Sequence, residues 1–180
     1  MIRLTGGERK GMALYAPRGR QTRPATARIR QWLFDVLAPP DGQVVLDLFA
    51  GSGAVGLEAL SRGARSALFV EQGEEAVRIL RRNLEKARYH DRSQVWSSPV
   101  EAAVLQLLAA GRRFDLVFCD PPYAFRDLER LLTESVLALL GPGGTLVVEH
   151  RGDRPLHPGG HQPDRVEDFG ETRISIWTVV

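Results

Sequence analysis

Hydrophobic and polar positions alternate between two periods along this chain. Residues 44–49, 66–71 and 114–119 are short apolar runs, each carrying one or two polar residues. Runs of that length, bounded by turn residues, predict buried strands, and 94–97 and 145–149 read the same way. Between them the spacing lengthens. Val77, Leu80 and Leu84 repeat at three and four, which predicts an amphipathic helix over 74–88. Helices are also predicted over 54–62, stopped by Gly63, and over 100–110 and 128–140. An earlier helix is predicted over 24–37. Pro24 suits its first turn, Ile29, Leu33, Val36 and Leu37 make one face, and Pro39-Pro40 ends it.

Strand and helix therefore alternate from residue 44 to residue 149, which predicts a parallel sheet with helices on both faces. The two ends differ. Residues 1–20 predict a hairpin, 2–4 against 12–15, turned near Gly6-Gly7. Residues 165–169 and 172–177 flank Gly170-Glu171 and predict an antiparallel closing pair. Gly141-Pro142-Gly143-Gly144 reads as a turn. A single domain over 1–180 is expected, with 1–22 as a basic N-terminal extension and 23–180 as the catalytic core.

Composition narrows the class. The chain has 180 residues, 43% hydrophobic and 26% charged, as in soluble globular domains. No apolar stretch approaches the roughly 18 residues of a membrane span, and no signal-peptide core stands at the N-terminus. A cytoplasmic protein without a membrane partner is expected. Cys119 is the sole cysteine, so neither a disulfide framework nor a cysteine-based metal site is expected. His150, His157 and His161 lie in or beside a Pro/Gly-rich stretch and read as loop polarity, so no metal is predicted.

Charge is unevenly spread. The net charge is +2, yet residues 1–30 hold eight basic residues and one acid, while the other 150 hold 16 basic and 21 acidic. The basic head comprises Arg3, Arg9, Lys10, Arg18, Arg20, Arg23, Arg28 and Arg30. It predicts a polyanion partner. Arg78, Arg81, Arg82, Lys86 and Arg88 read as a solvated helix face.

In such folds ligands bind at the carboxyl ends of the strands. Asp47, Glu71, Ser97 and Asp120 all fall there. Gly51-Ser52-Gly53-Ala54-Val55-Gly56 fits GxGxxG, and Glu71 follows Gly51 by twenty residues. This pattern is shared by dinucleotide sites. Asp47 argues against one, because a carboxylate at the loop mouth repels a pyrophosphate. S-adenosylmethionine instead offers an ammonium to Asp47 and ribose hydroxyls to Glu71. At 120–123, Asp-Pro-Pro-Tyr supplies a carboxylate, stiff backbone carbonyls and a flat ring. That set suits a planar substrate with an NH2 group, such as a nucleobase. Cys119, one position earlier, should point away from Asp120 into the core.

Residues 47–64 resemble the cofactor loop of the bacterial 16S rRNA guanine-N2 methyltransferases. Asp120-Pro121-Pro122-Tyr123 is similar to that family's catalytic tetrapeptide, and residues 23–30 resemble its Arg-Pro-Thr-Thr-Asp-Arg-Val-Arg segment. Residues 2–11 fit its N-terminal hairpin. The resemblance implies a Rossmann-like, class I S-adenosylmethionine-dependent methyltransferase fold. It would have a seven-stranded, mostly parallel sheet with an antiparallel C-terminal hairpin, plus the N-terminal hairpin and helix. It further implies cofactor contacts from Asp47, Phe49, Ala50, Gly51, Ser52, Gly53, Glu71, Gln72, Pro99 and Val100, with Arg23 and Thr26 nearby. Asp120, Pro121, Pro122 and Tyr123 would be catalytic. Arg3, Arg9, Lys10, Arg18, Arg20, Arg28 and Arg30 would bind 16S rRNA, free or in an assembling small subunit, and the protein would act as a monomer. Ala25 and Ala27 depart from the family pattern, and Pro99 stands where a polar residue often meets the adenine. Competing readings are a DNA adenine-N6 methyltransferase, a non-catalytic RNA-binding protein on this fold, and a nicotinamide enzyme.

Overall fold

The computed structural model describes residues 2–16 and 24–179, with side chains from residue 27 onward in the first helix. Strands β1 (Ile2–Arg3) and β2 (Ala13–Leu14) form the N-terminal hairpin, and α1 (Pro24–Val36) follows. The alternating core runs β3 (Val44–Leu48), α2 (Ala54–Ser61), β4 (Ser66–Glu71), α3 (Glu74–Ala87), β5 (Ser93–Ser97), α4 (Val100–Ala109), β6 (Phe114–Cys119), α5 (Leu128–Leu131) and β7 (Leu140–Arg151). Strands β8 (Arg165–Phe169) and β9 (Thr172–Thr178) complete the described chain. Seven strands make one sheet in the order β5-β4-β3-β6-β7-β9-β8. The first five are parallel; β9 runs antiparallel to β7, and β8 antiparallel to β9. Strand order reverses between β3 and β6, where doubly wound folds open their ligand crevice.

Each parallel strand is buried on both faces, so the apolar runs are nearly continuous. One face carries Val45, Phe69, Leu116, Phe118 and Val147 against Leu33 of α1, Leu57 and Leu60 of α2, and Leu80 and Leu84 of α3. Leu4 and Leu14 of the hairpin join that same cluster. The other face carries Leu46, Val70, Val117, Cys119 and Val148 against Val104 and Leu107 of α4 and the Leu131–Leu139 stretch.

Two expectations need correction. The stretch predicted as one helix over 128–140 is helical only to Leu139, and it changes step twice. After α5 it widens at Leu132–Val136 and then tightens at Leu137–Leu139. Tightening of a last turn is common where helical hydrogen bonds run out. Gly141–Gly144 is not a separate turn but lies within β7. There Phe114 pairs with Leu140 and Leu116 with Thr145, so the glycine-rich residues bulge out of register. The bulge is held from the far end of the chain: Gly143 N–H donates to Val179 O, and Val179 N–H donates to Gly144 O, both at 2.9 Å.

A buried ion cluster fastens the hairpin to the core. Glu58 on α2 is fully buried. Its carboxylate accepts from Thr5 N–H (2.8 Å), Thr5 Oγ1 (2.7 Å), Arg30 Nε (3.2 Å) and Arg62 Nε (2.9 Å). Arg30 also donates to the Arg3 carbonyl. Beside it, Ser61 Oγ accepts from Arg9 N–H and donates to Gly6 O. Gly7 packs so tightly that a Cβ would lie 1.8 Å from Ser61 O. At the other strand, Asn83 of α3 is wholly buried. Its side chain accepts from Tyr15 N–H (2.8 Å) and donates to Tyr15 O (3.0 Å) and to Ser52 O (2.9 Å).

Candidate active site

The glycine loop is shaped by backbone that most residues resist. Phe49, Gly51 and Gly53 have φ of 61°, 56° and 77°. Positive φ at Phe49 is uncommon for a bulky side chain, and such strain concentrates at functional sites. Its ring is held edge-on against Phe125, 5.3 Å away, so the loop after β3 touches the loop after β6. Ala50 N–H donates to Val70 O at 3.0 Å and Gly53 N–H to Ala50 O at 2.8 Å. A Cβ on Gly53 would meet Leu80 Cδ1 at 2.2 Å, and one on Gly56 would meet Phe69 Cε1 at 2.3 Å. Close helix–sheet packing and the tight turn both therefore require these glycines.

Asp47 lies inside β3 and is 4% exposed. Its Oδ2 accepts from Gly56 N–H at 3.0 Å. Burial lifts its carboxyl to about 7; the charges of Asp120 and Glu71 add to the lift, while the Gly56 bond opposes it. Glu71 ends β4, with Oε2 accepting from Gly51 N–H (2.8 Å) and Oε1 from Gly73 N–H (2.7 Å). It thus braces the glycine loop from the neighbouring strand. Gln72 is exposed beside it. Pro99 precedes α4, and Val100 opens that helix. The Val100 N–H sits in the first turn, where helix geometry supplies no acceptor.

Asp120 leaves β6 at the same rim, with its N–H pointing to Leu48 O at 3.4 Å. Pro121 is buried, Pro122 O closes a turn from Phe125 N–H at 2.8 Å, and Tyr123 is 45% exposed. The Tyr123 hydroxyl is 2.8 Å from Thr172 Oγ1 on β9, and Arg151 stands 6.0 Å from its ring. Cys119 is buried in the opposite cluster, and burial drives its thiol far up, beyond use as a nucleophile near neutral pH.

The basic head divides. Arg3, Lys10 and Arg28 are exposed. Arg9 is half-buried and donates from Nε to Ala87 O at 3.2 Å. Arg30 must be taken out of the nucleic-acid set, since it is 2% exposed and ion-paired with Glu58. Burial lowers its pKa, and Glu58 offsets only part of that fall. Arg18, Arg20 and Arg23, and the Thr26 side chain, lie outside the described residues. Two cations of α3 are more than a solvated face: Arg82 and Lys86 sit 4.4 and 5.0 Å from the Tyr15 ring centre, and Lys86 Nζ donates to Ala13 O at 2.7 Å. His150 is a strand residue rather than loop polarity, buried with Nε2 2.9 Å from Ser175 Oγ. Among the described residues no group of three or more His, Cys, Asp or Glu could hold a metal, and no helix is long and apolar enough to cross a membrane.

Sequence reasoning passed over Glu149. It lies on β7 one step beyond Val148, which pairs with Cys119, so it stands beside Asp120. Burial, then the Asp120 charge, raises its carboxyl to about 8. The available signal was strand alternation, which assigns Glu149 to the face of Val147 and Phe118.

A family model described as Conserved hypothetical protein 95 matches residues 2–178. The chain belongs to that family. The putative rRNA methyltransferase YlbH of Bacillus subtilis (strain 168) is 36% identical over 183 residues, covering 98% of each chain. The ribosomal RNA small subunit methyltransferase D of Escherichia coli (strain K12) is 39% identical over 150 residues, 82% of this chain and 71% of that protein. Among solved structures, the putative methyltransferase yhhF from Escherichia coli superposes with a TM-score of 0.84 at 31% identity, covering 99% of this chain and 97% of that one. The family resemblance read from the sequence is borne out, and the sheet is the class I methyltransferase fold it implied.

Proposed function

We propose that this protein is an rRNA methyltransferase that moves a methyl group from S-adenosylmethionine to the exocyclic N2 amine of a guanine in small-subunit rRNA. One observation carries the reading: Asp120 and its Pro-Pro-Tyr sequel stand beside buried Asp47 at the rim where strand order reverses. The curated relatives named above, both rRNA methyltransferases by name, support the class of activity and substrate.

The site fits that cofactor chemically. Asp47 is a buried acid held near neutrality by burial, and it gains most from a cation such as the methionyl ammonium. The backbone of residues 51–53 would line the methionyl part, its Gly51 and Gly53 N–H groups already held by Glu71 and Ala50, and Glu71 keeps carboxylate lone pairs for ribose hydroxyls. Phe49, Ala50, Gln72, Pro99 and Val100 would complete the walls. When bound, the cofactor supplies an electrophilic methyl on a sulfonium.

The chain's own residues handle the amine. Its lone pair is delocalised into the ring, which makes it a poor nucleophile. The Asp120 carboxylate and the Pro121 carbonyl each accept one N–H, so the nitrogen becomes more tetrahedral and its lone pair turns to the methyl. Orientation and fixed charge of this kind supply much of a transfer barrier. Tyr123 stacks on the base, a contact worth about 1–3 kcal/mol. The amine is reachable once its base is unpaired or flipped. Arg3, Arg9, Lys10 and Arg28, with Arg18 and Arg20, hold phosphates, so binding weakens with salt. The substrate is 16S rRNA, free or in an assembling subunit; the enzyme acts as a monomer in the cytoplasm.

The test is label transfer from tritiated S-adenosylmethionine to small-subunit rRNA and to duplex DNA, followed by nucleoside analysis. N2-methylguanosine is expected. N6-methyladenine formed in DNA would replace this reading with the adenine one, and no transfer to either would favour a binding protein.

A pH dependence follows from Asp47. The cation pairs with the ionised acid, so binding expels the proton carried below about pH 7. S-adenosylmethionine affinity should fall about tenfold per pH unit below that value. The ligand-free fold has the opposite slope. A carboxyl raised above its unfolded value contributes stability that is complete below about pH 4 and is lost as pH rises through about 7. Calorimetric titration in two buffers of different ionisation heat, at pH 6 and 8, checks both the affinity change and the proton release. Equal affinities at the two values would remove Asp47 from the ammonium site.

A further inference from the structure

Strands β6 and β7 run parallel with Phe118 opposite Val147 and Cys119 opposite Val148. Continued one step, that register sets Asp120 beside Glu149, with their backbones about 4.8 Å apart, the spacing of neighbouring strands. Alternation gives both side chains one face. Phe118 and Val147, two residues before each, share the cluster beneath α1, α2 and α3, and Ile174, the β9 partner of Glu149, belongs to it too. Asp47 lies on that face as well, opposite Phe118 on β3. Three acids thus crowd one end of three adjacent strands.

We propose that Glu149 is the positioning partner of Asp120: as a neutral carboxyl it donates to the Asp120 carboxylate and fixes the oxygen that receives the amine. This rests on the reading of Asp120 as the amine's acceptor. Asp120 is exposed and Glu149 half-buried, and two neighbouring carboxylates disfavour double ionisation, with the buried one the readier to hold a proton. The direction of the Glu149 shift agrees, since burial comes first and Asp120 second among its causes.

The surroundings leave Glu149 no cationic partner among the described residues. On β6 it faces Asp120, and beyond that lies Asp47 on β3. On β9 the same face presents Thr172, Ile174 and Ile176, with Thr172 bound to the Tyr123 hydroxyl. Arg151, two residues along β7, is engaged by Asp153 at 3.0 Å. From α1 the buried charge is Arg30, committed to Glu58. Arg173 and His150 lie on the opposite side of the sheet. A donor on the adjacent strand narrows the rotamer range of the Asp120 carboxylate.

The experiment measures kcat, KM for RNA and S-adenosylmethionine affinity against pH for the unaltered protein, Glu149→Gln, Glu149→Ala and Asp120→Ala. Glu149→Gln keeps a neutral donor. It should retain kcat at pH 7 and lose the decline expected of the unaltered enzyme above about pH 8. Glu149→Ala should lower kcat about tenfold or more, the scale of one tenfold step in positioning, with cofactor affinity and KM little changed. Infrared spectra of the unaltered protein should show at pH 7 a protonated carboxyl contribution beyond that of Asp47, which Glu149→Gln lacks, a readout independent of whether the alanine variant folds. Equal losses in Gln and Ala variants overturn the inference, because an ionised Glu149 would then be the working form. So does an unchanged Ala variant. An active Asp120→Ala protein instead overturns the parent reading of Asp120.

Discussion

Asp120→Ala is expected to lower kcat for methyl transfer by about 10²–10³-fold, the usual cost of removing one preorganised polar group aimed at developing charge. Affinity for S-adenosylmethionine should hold or rise slightly. The Asp120 charge helps to keep Asp47 protonated, so its removal lets Asp47 ionise more readily and meet the ammonium. Asp120→Asn retains an acceptor oxygen without the charge and should fall between the two. Single-turnover transfer with saturating RNA, beside equilibrium cofactor titration, separates chemistry from binding. An alanine variant that binds cofactor poorly but transfers at the normal rate would move Asp120 from the amine to the cofactor.

Glu58→Ala carries the largest expected cost in stability, about 3–5 kcal/mol, the scale for removing one partner from a buried ion pair. Glu58 is fully buried and satisfies Thr5, Arg30 and Arg62 together. Without it the 2%-exposed Arg30 guanidinium keeps its charge with only a backbone carbonyl left among these bonds. Glu58→Gln should cost less, since one amide oxygen can still accept from Thr5. Denaturant unfolding followed by tryptophan fluorescence reads the loss in midpoint. A midpoint unchanged within about 0.5 kcal/mol would mean that the hairpin's apolar contacts, Leu4 and Leu14, hold it without the ion cluster.

Much of this architecture was legible in the chain because local signals agreed with one another. The strands over 66–71 and 114–119 begin and end where the apolar runs do, since both faces are covered and alternation has nothing to report. The glycine loop was legible because its turn and close approach leave few residue choices. The stretch after Leu128 was less so. Its leucines at helical spacing state which side is buried, but not how the hydrogen-bond step changes. The bulge at 141–144 depends on pairing with Val179, a partner some 35 residues away that no local pattern names. Arg30 was misplaced for a related reason. It sits among exposed cations in the sequence, and only the fold brings Glu58 to it. Glu149 was passed over because one acid at a strand end looks unremarkable until the neighbouring strand's register sets another beside it.

The fastening of the hairpin also orders events during synthesis. Thr5 finds Glu58 fifty-three residues later, and Tyr15 finds Asn83 sixty-eight residues later. At about 5–20 residues per second, the hairpin segment waits several seconds for the side chains that fasten it. The hairpin is thus made well before the helices that hold it. Until α2 and α3 have been made, Thr5, Arg9 and Tyr15 lack the partners that hold them in the fold.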